Sequence, residues 1–220
     1  MEKCPNARTQ KEQNAILPTE AVQMLKAGNK RFVKNKMIKY CYGKMAKQSA
    51  KHGQFPFAAI LTCVDSRIPV EQVFDQAIGD VFVARVAGNF VNTDIIGSLE
   101  FAVLSGVKSI LILGHTACGA IKGACDGATG LPALDSMLSN IQPAVTSAIA
   151  STGKIATSTD TKFVKAVAYA NVKLAMTNLR SQSALINTAV QNGDLKLIGG
   201  MYNLKNRVAN IGHDFLKKEI

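Results

Sequence analysis

The stretch Phe57–Thr62, FAAILT, is apolar almost without interruption, and Lys108–Leu113, KSILIL, has the same character. Val81–Ala84 and Leu195–Met201 resemble two further strands, and Arg207–Ile211 resembles an edge piece. Strands that are continuously apolar and alternate with helical segments indicate a parallel sheet that is covered on both faces. The sequence therefore predicts an α/β fold with a central, mostly parallel β-sheet flanked by helices.

The predicted helices begin with one whose start is marked by Pro18 and by a possible cap at Thr19. Residues 36–53 are basic and show no regular pattern. We interpret residues 1–17 as an N-terminal arm and residues 18–220 as a single α/β domain. The other predicted helices cover residues 70–74, 93–104, 117–125, 132–150 and 161–191.

Length and composition exclude several classes of protein. With 220 residues and 47% hydrophobic composition, the chain can form one well-packed domain. No apolar stretch approaches the roughly 20 residues that cross a membrane, and residues 1–14 lack the hydrophobic run of a signal peptide. We therefore expect a soluble, cytoplasmic protein. The five cysteines are irregularly spaced, which favours reduced thiols over a disulfide framework.

The net charge of +11 raises the question of an anionic partner. No nucleic-acid recognition motif accompanies the basic residues, and the densest group, from Lys26 to Lys39, falls in one predicted helix and its exit. We therefore predict a solvated helix face, and neither a nucleic-acid nor a membrane partner.

Two short segments place metal-ligating residues at strand ends. Cys63 follows the first apolar run by one residue, and His115 follows the third predicted strand by two, with Cys118 three residues later. The carboxyl ends of parallel strands meet at one edge of a sheet, so these residues should lie close together. Gly114 and Gly119 bracket the second segment and would allow a tight turn from strand into helix.

Two thiolates and one imidazole are suitable ligands for zinc, and three protein ligands leave a fourth position open, as in catalytic sites. Asp65 and Arg67 lie beside Cys63 in the sequence. Arg67 could hold Asp65 ionised, so that the carboxylate accepts a hydrogen from zinc-bound hydroxide. Asp65 could instead bind zinc itself and close the site, or the two residues could form an ion pair of purely structural importance.

Together, Cys63-x-Asp65-x-Arg67 and His115-x-x-Cys118-Gly119 resemble the signature of the β-class carbonic anhydrases. The segment ARVAGN at 84–89 is similar to a stretch that this family carries between the two motifs. The resemblance covers roughly residues 18–215.

This resemblance implies one zinc ion per chain, held by Cys63, His115 and Cys118. It implies the reversible hydration of CO2 to bicarbonate and a proton by zinc-bound hydroxide, which Asp65 and Arg67 orient. It further implies a four-stranded parallel sheet, and a homodimer, or a dimer of dimers, whose N-terminal helical arms wrap the partner. The implied substrate pocket lies at the subunit interface and contains Gln54, Phe82, Ala87 and Gly88.

Two alternatives remain open at this stage. Relatives that hydrolyse CS2 or COS share the same ligands, so the motif does not separate them from CO2 hydration. A non-catalytic zinc-binding interaction module is the other alternative, although such a module would need none of Asp65, Arg67 and Gln54.

Overall fold

The structure, a computed structural model, describes residues 5–217 and contains one five-stranded sheet within them. The spatial order of the strands is β2-β1-β3-β4-β5. Neighbours among β1 to β4 run parallel, and β5 pairs antiparallel with β4. The strands are β1 (Ala58–Thr62), β2 (Val81–Arg85), β3 (Ser109–His115), β4 (Lys196–Tyr202) and β5 (Ala209–Ile211).

The predicted α/β class and the mostly parallel sheet are confirmed. The four parallel strands implied by the resemblance are present, and the 207–211 edge piece adds a short fifth strand, so the four-strand count is corrected to five. Its direction has a simple cause. Only residues 203–208 separate β4 from β5, which is enough for a hairpin but too short for the crossover that a parallel strand requires.

The helices pack on both faces of the sheet. They are α1 (Gln10–Ala15), α2 (Pro18–Val33), α3 (Tyr42–His52), α4 (Val70–Val73), α5 (Thr93–Leu104), α6 (Gly119–Cys125), α7 (Pro132–Ser139), α8 (Gln142–Thr152), α9 (Thr161–Gln182), α10 (Ala184–Asn192) and α11 (His213–Leu216). Alternate residues of β3 point to opposite faces. Ile110 and Ile112 join the larger core beneath α5 and α9, while Leu111 and Leu113 join a smaller core beneath α2 and α4.

Three helix predictions are corrected. The 36–53 segment contains α3, which was not predicted. The 132–150 helix is two helices, because Pro143 lies in the first turn of α8, where a proline is tolerated, and would not fit a helix interior. The 161–191 helix is also two, because the Ser183 side chain accepts a hydrogen bond from the Ile186 backbone and starts α10.

The predicted arm contains α1 and makes specific contacts with the domain. Thr9 and Glu12 form a capping box at the start of α1. The buried Gln13 side chain donates hydrogen bonds to the carbonyl oxygens of Pro56 and Ser105, at 2.7 and 2.9 Å. The boundary after residue 17 stays a prediction, and residues 1–4 of the arm lie outside the described part.

Two findings bear on the expected environment of the protein. Among residues 5–217, no helix combines the length and the apolar character that crossing a bilayer requires. Cys41 is disulfide-bonded, which corrects the expectation of reduced thiols throughout. Irregular cysteine spacing argues against a disulfide framework, but it does not exclude a single bond.

Positive charge is concentrated in one part of the chain. Between Glu20 and Asp65 the sequence contains nine lysine and arginine residues and no aspartate or glutamate. Lys26 pairs with Asp214 at 2.8 Å, and Arg31 pairs with the buried Asp75. The remaining seven, all exposed lysines of α2, α3 and the segment between them, have no ion-pair partner among residues 5–217. The solvated helix face predicted from the sequence is therefore part of a longer basic segment of the chain.

Candidate metal centre

Cys63, His115 and Cys118 form a compact cluster at the carboxyl edge of the sheet. The ligand atoms that they offer all lie within 4.8 Å of one another, and all three residues are buried. The two sulfur atoms are 3.9 Å apart. Residues that are 52 and 55 positions apart in the sequence therefore present three soft donor atoms to one point.

The strand register brings these residues together. In the β1–β3 pair, Thr62 lies opposite Leu113, so the next residues, Cys63 and Gly114, are level with each other. His115 is the last residue of β3 rather than the second residue beyond it, because the strand extends further than its apolar run. The ligands thus lie at the same edge of the sheet, where parallel α/β sheets bind their ligands.

The tight turn after β3 is made by Ala117 and not by the flanking glycines. Ala117 has a φ of 55°, in the left-handed region that a non-glycine residue adopts only under local constraint. Gly119 is the first residue of α6, and a Cβ there would meet no neighbour. Gly114 is needed for space, since a Cβ on it would lie 2.8 Å from Cγ2 of Val172.

The His115 ring is oriented as a metal ligand would be. Its Nδ1 lies 3.0 Å from the carbonyl oxygen of Thr116, which can only accept, so Nδ1 carries the hydrogen. Nε2 therefore has the free lone pair, and this buried atom has no hydrogen-bond partner within residues 5–217. A buried imidazole with one nitrogen fixed by a carbonyl and the other unpaired fits a metal site.

The two thiols influence each other strongly. A hydrogen bond with Cys118 lowers the pKa of Cys63, against the opposing effect of burial, and His115 and the Gly88 backbone N–H lower it further. The hydrogen bond with Cys63, together with burial, raises the pKa of Cys118. Without metal the pair thus shares a proton, and a divalent cation bound by both sulfurs would replace it. The donor set therefore fits zinc.

Asp65 and Arg67 form an ion pair beside the cluster. The guanidinium donates from Nε to Oδ1 at 2.9 Å and from Nη2 to Oδ2 at 2.6 Å, and the Arg67 backbone N–H also donates to Oδ1. These bonds hold the pKa of Asp65 well below its usual range. Oδ2 lies 3.9 Å from Nδ1 of His115, so the carboxylate is next to the ligands without belonging to their cluster.

Arg85 is part of the site, although no role was assigned to it from the sequence. It ends β2, opposite Thr62, and donates from Nε to the carbonyl oxygen of Cys63 at 3.0 Å and from Nη2 to that of Asp65 at 2.7 Å. It therefore fixes the backbone that carries both a ligand and the carboxylate. The sequence did contain a signal for this role, namely a charged residue at the end of an apolar strand.

The predicted pocket residues fall into two groups. Ala87 and Gly88 follow the carboxyl end of β2, and the Gly88 backbone N–H lies 3.4 Å from the Cys63 sulfur. Gln54 precedes the amino end of β1, and Phe82 lies near the start of β2, opposite Ala59. Since β1 alone spans about 17 Å at roughly 3.3 Å per residue, the chain does not bring its own Gln54 to the cluster.

Comparisons with known proteins agree with this geometry. The family model for carbonic anhydrase matches residues 58–209. Carbonic anhydrase 2 of Mycobacterium tuberculosis is 28% identical over 205 residues, which cover 90% of this chain and 97% of that protein.

Similar folds are found among solved structures. The β-carbonic anhydrase CcaA has a TM-score of 0.71 at 22% identity, covering 89% of this chain and 96% of its own. One of the two tetrameric β-carbonic anhydrases of Sordaria macrospora has a TM-score of 0.66 at 26% identity, covering 76% and 85%. With more than half of its residues matched by the family model, this chain belongs to the carbonic anhydrase family, within the β class.

Proposed function

We propose that this protein catalyses the reversible hydration of CO2 to bicarbonate and a proton, with one zinc ion held by Cys63, His115 and Cys118. The observation that carries the proposal is the buried His115 ring, whose Nε2 has no hydrogen-bond partner among residues 5–217. The ring offers a nitrogen within 4.8 Å of two cysteine sulfurs and lies beside an Arg67-bound carboxylate. A purely structural site would have no use for that carboxylate.

The chemistry of the donor set supports this choice of metal. Two thiolates and an imidazole leave one position of a tetrahedral zinc site open. Zinc, when bound, lowers the pKa of a water molecule and so supplies a hydroxide nucleophile.

Asp65 acts as a hydrogen-bond acceptor for the attacking oxygen. Because Arg67 keeps the carboxylate ionised, Asp65 cannot donate, and the hydrogen of the attacking group must point toward it. The oxygen lone pair is then directed away from Asp65 and toward the substrate. Arg67 also holds the carboxylate in place through two side-chain bonds, which favours the open form of the site over ligation of the metal by Asp65.

We further propose that the substrate pocket is completed by a second copy of the chain. β2 is an edge strand, and beside it lies a groove of about 600 Å³ that includes Phe82 and the exposed Phe101. A partner seated along this edge would place its own Gln54 and Phe82 near the cluster, while Ala87 and Gly88 of the first chain line the other side. The tetrameric state of the Sordaria macrospora relatives supports self-association.

Stopped-flow CO2 hydration by the zinc-loaded protein, between neutral and alkaline pH, tests the proposal. We expect activity that rises with pH, because two anionic ligands leave less positive charge to acidify water than neutral ligands would. Asp65→Asn, loaded with the same amount of zinc, is the matched control. Absence of activity with one zinc per chain would refute CO2 hydration, and turnover of CS2 or COS by the same sample would identify the alternative hydrolase.

A further inference from the structure

Asn171 lies on α9 with its side chain wholly buried, and it contacts the ligand region from across the core. Its Nδ2 donates a hydrogen bond to the carbonyl oxygen of Gly88 at 2.7 Å. The residues around it on the same helix, Val167, Ala168, Val172 and Ala175, are buried and apolar. A polar side chain on such a face needs a specific reason, since burying an amide is costly unless it is hydrogen-bonded.

The residue that Asn171 contacts also faces a metal-ligating sulfur, through the peptide group on the other side of its Cα. The backbone N–H of Gly88 donates to Sγ of Cys63 at 3.4 Å, within the range of hydrogen bonds to sulfur. Gly88 therefore accepts a hydrogen bond at its carbonyl oxygen and donates another from its N–H. The two contacts connect Asn171 to Cys63 through Gly88.

The Gly88 turn requires outside support to keep this orientation. Gly88 has a φ of +83° and Asn89 a φ of 43°, so two successive residues are in the left-handed region. A Cβ on Gly88 would lie 2.5 Å from Cδ1 of Ile141, so the backbone is also pressed closely against the core. Because glycine has more accessible backbone conformations than any other residue, a buried side chain that binds its carbonyl oxygen restricts the turn and with it the direction of the neighbouring N–H.

We propose that Asn171 is a positioning residue of the metal centre, which holds the backbone of Gly88 so that the Gly88 N–H donates to the Cys63 sulfur. The inference rests on the proposed function, in that it assumes that Cys63 binds a metal. A donor directed at a thiolate stabilises its negative charge and fixes the direction of the sulfur, and the loss of a partner of this kind lowers metal affinity. Of the two thiolates only Cys63 receives this bond, since Cys118 has its own backbone donors at Ala120 and Ile121.

Packing alone does not account for the asparagine. Leucine has a similar volume and would suit the apolar face of α9 better. The Oδ1 atom of Asn171 has no hydrogen-bond partner in the described chain, so the amide does not serve a wider polar network. The bond to Gly88 is what the side chain contributes.

The test replaces Asn171 with leucine and loads the protein with cobalt in place of zinc. The near-ultraviolet charge-transfer bands from thiolate to cobalt report on the two ligand sulfurs, Cys63 among them, without any assay of CO2 hydration. Asn171→Leu should shift these bands and weaken zinc binding, measured by competition with a chelator, by about 10- to 100-fold.

The matched control is Asn29→Leu. Asn29 is also buried, on α2, and its amide makes three hydrogen bonds, to the backbones of Val73, Arg207 and Ala209. Its loss should destabilise the fold at least as much, but it should leave the cobalt spectrum and the zinc affinity unchanged. If Asn171→Leu does not fold, Asn171→Ala removes the same bond with a residue of higher helix propensity.

An unchanged spectrum and a zinc affinity within twofold of the parent, in a folded Asn171 variant, would overturn the inference. So would an equal shift in Asn29→Leu, which would show a general effect of instability. A parent protein that binds cobalt but does not hydrate CO2 would refute the proposed function and leave this test valid. A parent protein that binds no metal would overturn both.

Discussion

Both carboxylate oxygens of Asp65 accept a hydrogen bond from the guanidinium of Arg67, at 2.9 Å and 2.6 Å. This two-point contact holds a carboxylate that is only 13% exposed, while 57% of the Arg67 side chain remains in solvent. The pair thus fixes the charge and the direction of Asp65 beside the ligands, and several expected results depend on it.

Asp65→Asn should retain zinc but lose CO2 hydration by about 100-fold or more. The asparagine keeps the size of the side chain, but its amide nitrogen donates where the carboxylate could only accept. Metal analysis and stopped-flow assays on the same preparation separate the two effects. Full activity in a zinc-loaded Asp65→Asn sample would remove Asp65 from the mechanism.

Arg67→Ala should change how stability depends on pH. Because Arg67 depresses the pKa of folded Asp65, the pair stabilises the protein above the ordinary carboxyl value of about 3.9, and this stabilisation is lost as the pH falls through the depressed value. The difference in unfolding free energy between parent and variant should therefore be largest above about pH 4 and shrink below it. Urea titrations of metal-free protein measure this difference, and a difference independent of pH would contradict the assignment.

Cys63→Ala, His115→Ala and Cys118→Ala should each lose zinc and activity together, because two remaining ligands hold the ion weakly. Cys125→Ala is the matched control. It removes a buried, free thiol from α6, and burial raises the pKa of that thiol to about 11, so it is not primed to bind metal. Zinc content after dialysis decides the result, and an Ala variant of any of the three that keeps one zinc per chain would exclude that residue as a ligand.

Gln54 should act on the site of a partner subunit, and mixed dimers can show this. Gln54→Ala and Asp65→Asn chains are each expected to have low activity. If Gln54 acts across the interface, a mixed dimer contains one site with both residues intact, and activity should return toward half of the parent value. No recovery on mixing, with subunit exchange verified by mass, would place Gln54 in its own chain's site or outside the mechanism.

Gly88→Ala should destabilise the fold by about 2 kcal/mol or more, because it adds a clash with Ile141 to an unfavourable φ of +83°. Gly127→Ala separates these causes. Gly127 has a φ of +62° but open space around its Cβ position, so only the backbone cost of about 1 kcal/mol applies. Thermal and urea unfolding of the metal-free proteins give the loss of stability in each variant. Equal losses would mean that the contact with Ile141 does not contribute to the destabilisation.

Much of the site was predictable because it depends on strand ends. The apolar runs before Cys63 and His115 were sufficient to place both residues at one edge of a parallel sheet.

α3 was missed because Met45 is its one buried residue, so the sequence has no apolar stripe to reveal it.

Other features of the site could not be predicted from the types of the residues that form them. The contacts of Arg85 and Asn171 are with backbone carbonyl oxygens, and such acceptors exist at every position of a chain. The turn at Ala117 likewise depends on what surrounds it, since alanine shows no preference for a positive φ. These features depend on tertiary contacts, and only the folded structure reveals them.

The uneven distribution of charge has a consequence for how the molecule behaves near a charged support. Nine of its 26 basic residues and none of its 15 acidic residues lie between Glu20 and Asp65, so the rest of the chain is close to neutral. An isoelectric point near 9.5 thus reflects one segment of the chain more than the rest of it. On a cation exchanger the exposed lysines of α2, α3 and the segment between them should dominate adsorption and set the salt concentration at which the protein elutes.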